Sequence, residues 1–223
     1  MAARETEFSA ATEDYAKAIY SLQERGGGTV ATTALAKRLG VTAASASGMV
    51  RKLDEQGLVS HVPYRGVRLT DAGTRLALKV VRHHRLLELY LAEKLGVPWD
   101  RVHDEAEVLE HVLSEDLEAL IAATLGDPTR DPHGDPIPSA ELELPEEETI
   151  SLASLEAGAH GTFVRVSDSD PEMLRYLSER GIAPGARLQV EDRQPFGGPL
   201  FVTIGAETHI LGDRLAAAMR VRL

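Results

Sequence analysis

The sequence contains no cysteine. That absence excludes disulfides, thiolate zinc sites and iron–sulfur ligation. Long apolar runs are missing too, and none approaches the ~18 residues a membrane span needs. The N-terminus, MAARETEFSAATEDY, carries acids and has no apolar segment of the secretory kind. With nothing to export or anchor it, the expected compartment is the cytoplasm, with no membrane partner. A net basic charge is also lacking, since the 223 residues sum to −11. Taken over the whole chain, this argues against nucleic acid.

The distribution of charge reverses that argument at one end. Residues 1–77 carry a net +2, residues 78–148 a net −12 and residues 149–223 a net −1. A mildly basic end suits phosphates, and an acidic, cysteine-free middle suits hard cations. Acids that only keep the protein soluble fit the composition equally well. Hydrophobic residues at 43% and charged residues at 26% indicate an ordinary globular chain.

The patterning predicts a mainly α chain with small β elements. Thr12 is positioned to cap a first helix that Gly26-Gly27-Gly28 ends. A second runs from about Thr33 to Leu39, and Thr42 caps a third that ends at Gly57. LVSHVPYRGVRLT then predicts two short strands, and Asp71 opens a long helix to Leu95. Asp100 and Ser114 start two more helices. Residues 127–148 hold five prolines and many acids, and are expected to be an extended linker. Beyond them, alternating apolar runs predict a small antiparallel β-barrel with one helix near Pro171–Arg180. The expected domains are a winged helix-turn-helix at 1–75, a helical domain at 76–130, a Pro-rich linker at 131–148 and an SH3-like barrel at 149–223.

Two short helices and a hairpin in that order place the third helix in a DNA major groove and the wing along the backbone. Thr42, Ala43, Ser45, Ser47 and Gly48 are small enough to approach base edges. Lys37, Arg38, Arg51, Lys52, Arg65 and Arg68 flank them as phosphate-neutralising charges. Solvated charges on a small helical domain are the competing reading.

The segment VHDEAEVLEHVLSEDLE carries the sharpest signal. Glu107, Glu110 and His111 stand at i, i+3 and i+4 and so project from one helical face. His103 lies a turn earlier. His84 and Glu88 form an i, i+4 pair on the preceding helix, and Asp14 opens helix one. Carboxylates with imidazoles suit Mn(II) and Fe(II), and also Zn(II), Co(II) or Ni(II). An amphipathic, solvated helix face is compatible with the same spacing.

These residues fall in stretches that resemble the diphtheria toxin repressor (DtxR) family of metal-dependent repressors. TEDYAKAIY at 12–20, YRGVRLTDAG at 64–73, HHRLLELYL at 83–91, VHDEAEVLEH at 102–111 and DPHGDPIP at 131–138 carry the likeness in order. GIAPGARLQV and PFGGPLFVTIG are similar to the SH3-like (FeoA-like) domain of its longer members. The resemblance implies a homodimer that binds a palindromic operator in double-stranded DNA, with no organic substrate and no enzymatic activity. It also implies two metal sites per subunit.

Of these, the activating site maps to Asp14, Glu107, Glu110 and His111. The two positions at which the iron branch carries sulfur are carboxylates here, as in the manganese-responsive MntR-like branch. Mn(II) is therefore the expected effector, with Fe(II) as the alternative. Lys17 stands where shorter manganese sensors carry a further Glu, which speaks against their two-metal arrangement. The ancillary site maps to His84, Glu88 and His103 with Asp170 and Glu172. A winged-helix regulator of an organic effector is the reading from another class, and would bind DNA regardless of chelators. A metallohydrolase would require a base beside an open site, and no such pair is present.

Overall fold

The computed structural model describes residues 8–62, 66–145 and 147–223. It divides into two units: Met1–His83 with Glu110–Leu113 and Pro138–Glu143, and His84–Leu109 with Ser114–Ile137 and Leu144–Leu223.

In the first unit, helices α1 (Ala10–Gly26), α2 (Thr32–Leu39) and α3 (Ala43–Glu55) precede a hairpin of β1 (Val59–Val62) and β2 (Gly66–Leu69). Ser9, rather than Thr12, caps α1 by accepting from the Thr12 amide, and Thr12 is itself buried. Thr42 caps α3 in the same manner. Between α2 and α3, Gly40 adopts φ 65°, a left-handed turn that a β-branched side chain resists. Tyr15, Ile19, Leu35, Val50, Leu53, Leu58 and Val67 close the core. Fully burying a side chain such as Leu53 contributes about 1.5–3 kcal/mol.

The wing is held to the helices by backbone. Val30 and Val67 exchange two amide–carbonyl bonds of 2.8 and 2.9 Å. A Cβ on Gly66 would collide with the Val30 carbonyl, so this junction requires glycine. The strands pair antiparallel from Val59–Leu69 to Val62–Gly66. Arg65 lies outside the described residues.

The partition cuts across the linear domain bounds read from the sequence. Within the first unit, His83 Nδ1 lies 3.1 Å from the Glu110 carbonyl, and Arg82 donates to the Pro138 carbonyl at 2.6 Å. Arg82 and His83 thereby tie two short pieces of the acidic middle into this unit.

Helix α4 (Asp71–Leu95) supplies its second half to the second unit. There it is joined by α5 (Val102–Leu109), α6 (Glu115–Leu125) and a six-stranded antiparallel sheet ordered β3-β8-β4-β5-β6-β7. The strands are β3 (Ile150–Ser151), β4 (His160–Val166), β5 (Arg187–Arg193), β6 (Leu200–Ile204), β7 (Glu207–Leu211) and β8 (Met219–Arg222). Helix α7 (Pro171–Ser178) precedes β5, and α8 (Asp213–Ala218) precedes β8. Register shifts at Phe163/Arg165 and Val190/Asp192 bend the sheet around Phe163, Leu174, Leu177, Val202 and Met219.

The segment expected as an extended linker contains no helix among its described residues, yet it is not a solvated spacer. Asp131 and His133 are buried, and the Val166 amide donates to the His133 carbonyl at 3.0 Å. Gly134 (φ 89°) lets this segment approach β4 so closely that a Cβ would meet the Val164 carbonyl. Among the described residues no helix is long and apolar enough to cross a membrane.

Candidate metal centres and DNA-reading surface

On α3 the exposed face carries Thr42, Ala43, Ser45 and Gly48, with Ser47 half-buried. Its opposite face, Ala46, Val50 and Leu53, is buried. The Thr42 hydroxyl donates to Ser45 Oγ at 3.0 Å and Ser47 donates to the Ala43 carbonyl at 2.8 Å. Lys37, Arg38, Arg51, Lys52 and Arg68 are all exposed on this unit.

The first acid–imidazole cluster also lies in this unit. Helix α5 ends at Leu109, so Glu110 and His111 leave the helix in a turn instead of continuing the face that carries Glu107. Asp14, Glu110 and His111 converge, with His111 Nε2 3.0 Å from Asp14 Oδ1 and 3.6 Å from Glu110 Oε1. Glu13 engages His111 Nδ1 at 2.6 Å. A carboxylate can only accept, so Nδ1 donates to Glu13, and Nε2, facing the Asp14 and Glu110 carboxylates, is the nitrogen that would take a metal on losing its proton. This is how metal-ligating histidines are commonly oriented. Burial opposes protonation of His111, but Glu13, Glu110 and Asp14 outweigh it and raise its pKa. Lys17 Nζ spans both Glu110 oxygens at 2.9 and 2.8 Å.

The second unit holds a deeper cluster. Glu88 Oε1 lies 3.0 Å from His84 Nε2 and 3.3 Å from His103 Nδ1, and these two nitrogens are 3.1 Å apart. Asp168 Oδ2 reaches His103 Nδ1 at 3.1 Å. Such separations match the edge of an octahedron around a cation with bonds of about 2.1 Å. Glu107 stands beside this group, 3.8 Å from both His84 Nδ1 and His103 Nε2.

Asp131 and His133 extend the cluster on its buried side. His133 Nε2 lies 2.8 Å from the Trp99 carbonyl, an obligate acceptor, so a neutral His133 presents a bare Nδ1. That atom and Glu88 Oε2, 3.6 Å apart, are buried and make no hydrogen bond. Two orphaned buried polar atoms beside a carboxylate and imidazoles fit a divalent cation.

Asp170 and Glu172 stand apart from this cluster. The Asp170 carboxylate caps α7 by accepting from the Glu172 and Met173 amides, and it pairs with Arg214 at 2.5 Å. The SH3-like segment's carboxylate at the cluster is Asp168, two residues earlier. Glu13, Asp131, His133 and Asp168 escaped sequence reasoning. The one available signal was a histidine flanked by acids in DPHGDP, which reads as turn chemistry until its burial is known.

Charges in the deep cluster are strongly coupled. Burial opposes ionisation of Glu88, yet His103, His133 and His84 hold its carboxyl well below the usual range. Hydrogen bonds to Asp168 and Glu88 raise His103 to about 10. Burial depresses His133, but the facing Glu88 and Asp131 outweigh it and lift the ring to about 9. Burial, with Asp135 and Glu88 nearby, pushes Asp131 well above the carboxylate range. Both imidazoles thus have folded pKa values above the unfolded value of about 6.5. Their stabilisation is complete below pH ~6.5 and is lost as pH rises through about 9 and then about 10. In EDTA, the urea midpoint is expected to fall between pH 7 and pH 10. A midpoint flat across that range would mean that these rings are neutral in the metal-free protein.

A winged helix-turn-helix with an exposed face of small and basic residues, in a chain that gathers carboxylates and imidazoles into sets able to hold a cation, defines a metal-dependent DNA-binding regulator. Residues 7–67 match the family described as iron dependent repressor, N-terminal DNA binding domain. Residues 70–139 match the iron dependent repressor metal binding and dimerisation domain, and residues 150–223 the FeoA domain. The iron-dependent repressor IdeR of Mycobacterium tuberculosis is 35% identical over 222 residues, covering 94% of this chain and 96% of the relative. The diphtheria toxin repressor of Corynebacterium glutamicum is 32% identical over 221 residues, covering 94% and 95%. Among solved structures, a manganese-dependent transcriptional repressor in complex with manganese is 48% identical with a TM-score of 0.88, covering 94% of this chain and 98% of that one. The manganese regulator SloR is 29% identical with a TM-score of 0.76, covering 95% and 97%.

The chain belongs to the diphtheria toxin repressor family of metal-dependent transcriptional repressors. It is a DNA-binding regulator rather than an enzyme, it binds operator DNA as a dimer, and it depends on a divalent metal.

Proposed function

We propose that this repressor senses Mn(II) and shuts off metal-homeostasis genes in the cytoplasm when the metal is plentiful. The observation that carries the reading is the donor chemistry of the first cluster: Asp14 and Glu110 supply oxygen, His111 supplies nitrogen, and no sulfur takes part. Oxygen-rich sites suit Mn(II) better than soft thiolate sites do. Asp14, Glu110 and His111 would hold the activating ion. His84, Glu88 and His103, with Asp168, Asp131 and His133 nearby, would hold an ancillary ion, giving two sites per subunit. When bound, a dication supplies positive charge that ties these side chains to one point. Iron in the name of the relative IdeR keeps Fe(II) as the second reading.

The residues themselves perform the coupling. Asp14 lies on α1 of the DNA-reading unit, while Glu110 and His111 follow α5 of the matched dimerisation region. Drawing them together would fix the recognition helices at the spacing of two half-sites. By linkage, DNA must then tighten metal binding by the same factor. Val108, Leu109, Leu117 and Leu120, exposed on α5 and α6, offer the dimer an apolar face. Thr42, Ala43, Ser45, Ser47 and Gly48 would read bases, and Lys37, Arg38, Arg51, Lys52, Arg65 and Arg68 would neutralise phosphates of a palindromic operator.

The test is fluorescence anisotropy on duplexes enriched from a random pool in Mn(II). Tight binding with Mn(II), loss in EDTA and full activation by Mn(II) within a divalent panel are expected. Equal affinity in Mn(II) and EDTA would remove the sensor reading, and full activation by Fe(II) alone would transfer it to iron.

A further inference from the structure

The position of Lys17 bears on how much metal the first cluster requires. Lys17 follows Glu13 by four residues and Asp14 by three, so all three occupy one face of α1. Its ammonium bridges both oxygens of Glu110, whose side chain is 0% exposed, while the Lys17 side chain keeps 18% exposure. Glu110 Oε1, one of the two bridged oxygens, is also the oxygen 3.6 Å from the His111 nitrogen. The same carboxylate oxygen thus faces both the ammonium and the His111 imidazole.

We propose that Lys17 is a tethered cation that competes with the metal ion for Glu110 and so sets the metal concentration at which the repressor responds. The inference rests on the assignment of Glu110 as a metal ligand above. A buried carboxylate without a partner is strongly destabilising. In the metal-free protein Lys17 supplies that partner. A dication bound to Glu110 either sits against the ammonium, which repels it, or displaces the ammonium and breaks the ion pair. In both cases Lys17 stabilises the metal-free protein more than the metal-bound one, and by linkage it lowers metal affinity. Its long, flexible stem and partial exposure let the ammonium withdraw toward solvent. The same charge opposes a second cation beside Glu110, restricting this cluster to one ion.

Lys17→Met removes the charge at similar volume, Lys17→Arg keeps it, and Lys17→Gln keeps a neutral donor. Mn(II) is titrated calorimetrically into each full-length dimer, with Glu110→Gln identifying the first-cluster step. Thermal unfolding is recorded in EDTA and in saturating Mn(II). Lys17→Met is expected to bind Mn(II) at the Glu110-dependent step at least about fivefold more tightly than wild type. Its melting temperature should fall in EDTA and recover in Mn(II), while Lys17→Arg stays near wild type in both. Where Lys17→Met does not fold without metal, Lys17→Gln carries the affinity comparison. Unchanged or weaker Mn(II) binding in the neutral variants, with Glu110→Gln still abolishing that step, overturns the competition alone. A wild-type titration insensitive to Glu110→Gln overturns the ligand assignment and this inference with it.

Discussion

Glu110→Ala is expected to abolish metal-activated DNA binding, leaving operator affinity in saturating Mn(II) equal to that in EDTA. Glu110 is the most enclosed member of the first cluster and the one that faces both His111 and Lys17. Loss of a residue that merely supports a ligand typically costs 10–100-fold in metal affinity, so loss of a ligand should exceed about 100-fold. His111→Ala should do the same, and the double variant should be little worse than either, because one coordination sphere is broken once. Glu110→Gln keeps the shape and separates lost ligation from lost packing. The readout is anisotropy on the enriched operator, with circular dichroism as the folding control. Small, additive losses from Glu110→Ala and His111→Ala would show a solvated turn instead of a metal site.

The second large effect is on stability. Glu88 is fully buried and faces three imidazoles, so Glu88→Ala leaves the raised charges of His103 and His133 without their carboxylate. Removing one partner of a buried charged set costs about 3–5 kcal/mol, and the metal-free protein should lose about that much in urea unfolding. Glu88→Gln, which keeps volume and one acceptor, should lose less. Both variants should also bind about one ion fewer per protomer. A loss below about 1 kcal/mol with Glu88→Ala would mean that His103 and His133 find other partners or shed their protons at neutral pH.

Much of the fold was written locally. The glycine turn after α2, the Thr42 cap of α3, the Asp71 start of α4, the Ser114 cap of α6 and the alternating strands of the C-terminal sheet all follow from short-range rules. Each depends on residues within three or four positions of one another. Helix α5 marks the limit of such reasoning: the spacing of Glu107, Glu110 and His111 assumes a helix that continues, but the chain turns at Glu110. Helical periodicity cannot register its own end where no capping residue announces it.

The sequence by itself determined which side chains were available: carboxylates and imidazoles without thiolate, a small-residue recognition helix flanked by basic residues, and acids and histidines gathered in the middle of the chain. Tertiary structure alone decided which of them meet. It joined Glu13 to His111 across 98 positions, Lys17 to Glu110 across 93, and Asp168, rather than Asp170, to His103. It also made DPHGDP, expected within an extended linker, a buried flank of the second cluster, because Gly134 permits the approach to β4. The physical reason is range: capping and periodicity act over a turn or two of chain. A metal site is closed by charges that only the packed core brings within about 3 Å of one another.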